Sequence, residues 1–133
     1  MKIIAAVPTL TGLAIRGTPI SDAGVAHLSN GPQLTELYLD SKLTAVGLAA
    51  LAKSQRSLKQ LELGPTITPD AVPSLADHPT LSRLDLHTGH LSDANIRTLR
   101  SLPGLQQLYV YGSFDGDILA RIAQVTRLRG LSL

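Results

Sequence analysis

Glu62, Asp85 and His87, with Tyr109 and Tyr111 beyond them, are the side chains of this 133-residue chain whose types could do chemistry together. Two carboxylates and an imidazole within reach of one another could hold a divalent cation or serve as general acid and base. Other routes to chemistry are thin. The chain has no cysteine, which removes thiol catalysis, thiolate metal sites and disulfides. His27, His78 and His90 fall in helical or turn segments and read as surface residues. The 11 glycines scatter among turns and helix starts, so they form no phosphate-cradling loop. Whether Glu62, Asp85 and His87 meet depends on the elements that carry them.

Those elements are written as a repeat. The pattern Leu-x-x-Leu-x-Leu begins at Leu10, Leu34, Leu58, Leu81, Leu105 and Leu128, in steps of 24, 24, 23, 24 and 23 residues. Its second and third anchors are Leu13 and Ile15, Leu37 and Leu39, Leu61 and Leu63, Leu84 and Leu86, Leu108 and Val110, then Leu131 and Leu133. Such alternation is that of a strand with one buried face. Between copies, Ile20, Leu43, Ile67, Leu91 and Phe114 are followed at once by Ser21, Thr44, Thr68, Ser92 and Asp115, residue types that cap helix N-termini. Counting four and seven onward reaches Val25 and Leu28, Leu48 and Leu51, Val72 and Leu75, Ile96 and Leu99, and Leu119 and Ile122, which predicts one apolar stripe per helix. Proline stands two residues ahead of the anchor leucine at Pro8, Pro32, Pro79 and Pro103. Each unit therefore reads strand, turn, short helix, turn. Pro69 suits a first helical turn but Pro73 removes an interior hydrogen bond, so the third helix is expected to be short, late-starting or partly 3₁₀.

Over essentially its whole length this pattern resembles the leucine-rich repeat family. The stretches from Ile20 to Leu28 and from Thr44 to Ala52 are similar to the ribonuclease-inhibitor-like repeats of bacteria, among them the GALA-type repeats of secreted plant-pathogen effectors. The resemblance implies an α/β fold: a right-handed solenoid of about five repeats, with a curved parallel sheet on its concave face and short helices on its convex face. Residues 1–133 then form a single leucine-rich repeat domain. Many family members place Asn or Cys three residues past the third anchor. Here Thr18, Lys42, Thr66, Gly89 and Ser113 hold those places, so no asparagine ladder is expected. The segment from Ile4 to Leu10 aligns with that from Ile122 to Leu128, so both ends read as truncated repeats. They predict either a segment of a longer array or a chain whose open strand edges pair end to end with another copy.

Within each strand the residues between anchors must point away from the core. They form three rows: Gly12, Glu36, Gln60, Arg83, Gln107 and Gly130; Ala14, Tyr38, Glu62, Asp85, Tyr109 and Ser132; and Arg16, Asp40, Gly64, His87 and Tyr111. All 3 tyrosines lie on this face, and tyrosine is a favoured interface anchor. The expected partner-binding residues are Tyr38, Asp40, Glu62, Asp85, His87, Tyr109 and Tyr111. With Glu36, Asp40, Glu62 and Asp85 against Arg16 and Arg83, the face carries −2 in a chain of net +2, so it complements a basic polypeptide better than a nucleic-acid backbone. Lys53, Arg56, Lys59, Arg97, Arg100, Arg121, Arg127 and Arg129 read as solubility groups on the other surfaces. An open sheet neither excludes water nor encloses a substrate, so no catalysis, cofactor or metal is expected of Glu62, Asp85 and His87.

With 44% hydrophobic and 17% charged residues the composition is that of a globular domain, and its 3% of aromatics leaves the core to aliphatics. The apolar start breaks at Pro8, short of a secretory signal, and no run approaches the roughly 18 apolar residues of a membrane helix. A cytoplasmic protein, or one secreted into a host cell, is expected. The function predicted is a non-catalytic protein-interaction module that binds a polypeptide on its strand face. The resemblance narrows it to the substrate-recognition segment of a bacterial secreted effector. The alternative is a structural spacer or self-assembly segment of a larger repeat protein.

Overall fold

The structure, a computed structural model, describes residues 7–114 and 116–133. The leucine tracts become six short strands: β1 (Gly12–Ile15), β2 (Glu36–Leu39), β3 (Gln60–Leu63), β4 (Arg83–Leu86), β5 (Gln107–Val110) and β6 (Gly130–Ser132). They pair in sequence order in a single sheet, and every pairing is parallel. Anchor faces anchor throughout, as in Leu37 beside Leu61, Leu61 beside Leu84 and Leu84 beside Leu108. Parallel neighbours need a crossover, and a helical segment in each gap supplies it. These are α1 (Asp22–Ala26) with a 3₁₀ turn (His27–Asn30), α2 (Ala45–Ser54), a 3₁₀ helix (Pro69–Leu75), α3 (Asp93–Ser101) and α4 (Ile118–Ile122).

Proline chemistry explains the odd segment. Pro69 opens it and Pro73 sits inside it; the segment is short and the whole of Pro69–Leu75 is 3₁₀, where the sequence predicts only a partial 3₁₀ character, and it starts directly after Thr68 rather than late. The N-caps divide. Thr44 accepts from the Val46 amide, and Ser92 forms a capping box with Asn95. The side chains of Ser21 and Thr68 accept no capping bond. At Thr68 the backbone does that work, because its carbonyl accepts from the Ala71 amide. The cap expected at Asp115 lies outside the described residues, as do the residues from Ile4 to Ala6 at the chain start.

The unit boundaries are packed tightly enough to choose residues. Asp22 reaches the start of α2, accepting from the Thr44 amide at 3.0 Å and from its hydroxyl. Those bonds hold its carboxyl below the usual carboxylate range. A Cβ at Gly47 would collide with that carboxylate. In the turns after β4 and β5, a Cβ on Gly112 would stand 2.7 Å from the Gly89 nitrogen, so backbone packs on backbone where a side-chain ladder would have run. Elsewhere the turns are joined singly, by Ser41 donating to the Thr18 carbonyl at 3.1 Å and by Thr66 donating to Asp40 at 3.0 Å.

One hydrophobic core runs between sheet and helices, built from the strand anchors and the helix stripes. Eight of the predicted stripe residues, from Val25 to Leu99, are buried, and so is Ile122. Leu119 is not: it is 59% exposed, and Ile118 turns inward instead. The reason is a late start, since α4 begins only at Ile118, where its neighbour sits on the outer side. Leu61→Ala is expected to cost about 2–5 kcal/mol in chemical denaturation, because Leu61 is 1% exposed between Leu37 and Leu84. Leu119→Ala should cost less than about 0.5 kcal/mol. Similar losses for the two would contradict this placement of α4.

Candidate functional site

The outward rows are aligned as the repeat predicts. Gly12, Glu36, Gln60, Arg83, Gln107 and Gly130 stand side by side across the sheet, and so do Ala14, Tyr38, Glu62, Asp85, Tyr109 and Ser132. The third row continues the ladder through amides of Asp40, Gly64, His87 and Tyr111, each bonded to the strand before it. Because β1 carries small residues, Gly12 and Ala14, beside Glu36 and Tyr38 of β2, the first half of the face is hollowed. A concavity of about 410 Å³ opens there, reaching across to Glu62, Arg83 and Asp85.

Most charged and aromatic side chains on this face are paired rather than free. Arg83 donates through Nε and Nη2 to the two oxygens of Asp85, both at 2.8 Å. Its guanidinium carbon lies 4.4 Å from the centre of the Tyr109 ring. Hydrogen bonding to Asp85 raises the Arg83 pKa further above its already high value. Glu62 and His87 pair at 3.0 Å, and the His87 ring stacks on Tyr111 with centroids 4.6 Å apart. Arg16 lies 4.4 Å over the Tyr38 ring. Asp40 leans toward Thr66.

These pairings decide what the predicted site residues can do. Glu62 and Asp85 are neighbours, as expected, yet each faces a different basic group, so they do not converge on a shared ligand. Among the described residues no group of three or more His, Cys, Asp or Glu is placed to hold a metal ion. Asp85 is only 3% exposed, buried beneath its own arginine, so it positions Arg83 instead of meeting a partner directly. Tyr38 and Tyr109 are half-buried, and Tyr111 is 44% exposed. The stacked pair of His87 and Tyr111, and Tyr109 on Arg83, present aromatic surface that is already oriented.

Sequence reasoning missed a second polar system, in the turns that lead into the strands. Gln55, fully buried, accepts from the Leu34 amide at 2.8 Å and donates to the carbonyls of Leu28 and Pro32. His78 lies in the next unit with Nε2 3.0 Å from the Gln55 carbonyl. A carbonyl only accepts, so Nε2 carries the proton and Nδ1 is a buried acceptor with no partner among the described residues. His78 is thus a core residue and not the surface histidine expected. Both residues stand three places ahead of an anchor leucine, where the other described units have Val7, Gly31, Leu102 and Val125. A polar residue in an otherwise apolar or small column was the available signal. Asn95, also buried, donates to the Pro69 carbonyl at 2.7 Å. Arg121 donates to the Leu91 carbonyl and pairs with Asp93, and Arg127 donates to the carbonyls of Arg100 and Leu102. Those two arginines join neighbouring units and are more than solubility groups.

The strands, helical segments and paired face define an α/β protein with a six-stranded parallel sheet. No protein-family model matches the chain, and no curated protein matches it. No helix among the described residues is long and apolar enough to cross a membrane.

Removing one partner of the half-exposed Arg83 and buried Asp85 pair should strand the other. Arg83→Gln is expected to cost about 1–3 kcal/mol in urea unfolding, and adding Asp85→Asn should return part of that loss. Additive losses would show that the pair is not coupled. For His78, burial lowers its pKa below 6.5, with the charge of Arg56 assisting and the bond to Gln55 opposing. The unfolded chain therefore binds the proton more readily, and stability should be full above about pH 6.5 and fall as pH drops toward the folded-state value. Unfolding measured between pH 7 and 5 should show this slope, and His78→Asn should flatten it.

Proposed function

We propose that the chain is a leucine-rich repeat solenoid acting as a non-catalytic protein-interaction module, with the strand face as the surface that receives a polypeptide. The observation that carries this proposal is the state of the three tyrosines. Each shares its row with polar residues, each has a cation or imidazole against its ring, and each keeps accessible surface. An aromatic anchor already held in place loses little freedom on binding, so more of its contact energy reaches the complex. The similarity to effector-type repeats extends the proposal to substrate selection on behalf of a larger secreted protein, with the chain working in a host cytoplasm.

A random-peptide display selection on the immobilised protein provides ligands with which to test it. Selected peptides should lose about 2 kcal/mol or more of binding energy to the double variant Tyr109→Ala, Tyr111→Ala. The same variant should lose only about 1 kcal/mol of stability, the scale of one exposed cation–π contact and one stack. An equal binding loss from Arg97→Ala, on the helix side, would overturn the assignment of the face. So would a selection that yields no peptide.

A further inference from the structure

We infer that the hollow in the first half of the strand face is a receptor for an arginine side chain, which the partner inserts among Glu36, Glu62 and the ring of Tyr38. The inference rests on the polypeptide-binding role proposed above and names the chemistry of what binds.

The chain displays this recognition internally. Arg83 is held by a carboxylate and a tyrosine that stand next to each other on paired strands: Asp85 takes both forks of the guanidinium at 2.8 Å, and Tyr109 lies under its carbon at 4.4 Å. Two strands earlier, a carboxylate and a tyrosine again stand side by side, Glu62 and Tyr38. Here Glu62 bonds His87, and no arginine among the described residues bridges that carboxylate to the tyrosine. The place that Arg83 occupies in β4 is held in β3 by Gln60, a short neutral amide in the same row. Arg16 lies over the Tyr38 ring, but among the described residues it makes no ion pair. Glu36 likewise has no ion-pair partner among the described residues, and it is exposed.

Space and charge match that missing group. The hollow measures about 410 Å³, and Gly12 and Ala14 on β1 leave it unfilled. A Cβ placed on Gly12 would lie 3.9 Å from a carboxylate oxygen of Glu36, so the Glu36 side chain leans over the glycine and walls the hollow on that side. Arg83 and Asp85 also line the hollow, but their charges pair with each other, so Glu36 and Glu62 leave it acidic, which repels phosphate and carboxylate ligands and attracts a cation. Between the two basic side chains, the planar fork of arginine can meet a carboxylate edge-on while stacking on a tyrosine face, which a lysine ammonium cannot do.

The test uses the full chain and an acetylated, amidated glycine-arginine-glycine peptide, followed by NMR at the tyrosine rings and the backbone amides. Lysine and the neutral isostere citrulline replace arginine in two control peptides. Shifts should centre on Tyr38, Glu36 and Gln60, weaken with added salt, and rank arginine over lysine over citrulline. Glu36→Gln should weaken the arginine peptide at least about fivefold, and Gly12→Val should abolish binding by filling the hollow, while Arg97→Ala changes nothing. Citrulline binding as well as arginine, or full affinity in both Glu36→Gln and Gly12→Val, would overturn the inference. If display-selected peptides still depend on Tyr109 and Tyr111 in that event, the arginine receptor falls and the binding face stands. Loss of both dependences would remove the face as well.

Discussion

Leucine stacked on leucine across parallel strands is the contact from which the rest of the molecule follows. Each anchor of the inner strands meets its counterpart from the unit before and the unit after, as Leu61 meets Leu37 and Leu84, and these anchors are almost wholly excluded from water. Side chains alternate along a strand, so a slip of one residue would send a whole set of anchors to the outside. The register is therefore fixed by burial alone. Once fixed, it leaves no freedom in the outward rows: Glu62 must stand beside Asp85, and Asp85 beside Tyr109, because the leucines on either side of them have nowhere else to go. The face is a consequence of the core.

Turns obey a different constraint, and they solve it one at a time. Every unit must satisfy backbone groups where the chain leaves a helix and enters a strand, and a buried amide or carbonyl left alone costs about 1–3 kcal/mol. A uniform ladder would do this with the same residue in every unit. This chain uses Gln55 for three such groups in one turn, His78 for one in the next, and Arg127 for two near the end of the sheet. The solutions are unequal. His78 satisfies the Gln55 carbonyl at the expense of a stranded ring nitrogen, which makes that turn the one most sensitive to acid.

What could be foreseen follows this division. Strand positions, the parallel order of the rows and the 3₁₀ character of Pro69–Leu75 were legible, because each depends on a local pattern repeated many times or on the covalent geometry of proline. Helix starts were legible only in part. Thr44 and Ser92 cap as their types predict, whereas α4 begins late enough to expose Leu119, and nothing in the sequence around Phe114 shows that delay. The burial of Asp85 was hidden for another reason. Its row is outward, but Arg83, two residues earlier, folds over it onto a tyrosine from the next strand, and that closure depends on three side chains reaching one another in space.

Pairing also redistributes the charge that a ligand would meet. Counted residue by residue, the face is acidic along most of its length. In the folded protein the charge of Asp85 is spent on Arg83, and the carboxylate of Glu62 is hydrogen-bonded to His87. Acid without an ion-pair partner among the described residues is left chiefly on and just after β2, at Glu36 in the hollow and at Asp40 on the rim. The two halves of the sheet are thus different surfaces. From β3 to β5 the aromatics are set on internal ion pairs and stacks, giving a firm platform of fixed shape. Toward β1 the side chains are small and the carboxylate is free, giving room and field. A polypeptide laid across both would find its orientation dictated, with its basic end toward the first strand, because the opposite arrangement would leave Glu36 unanswered.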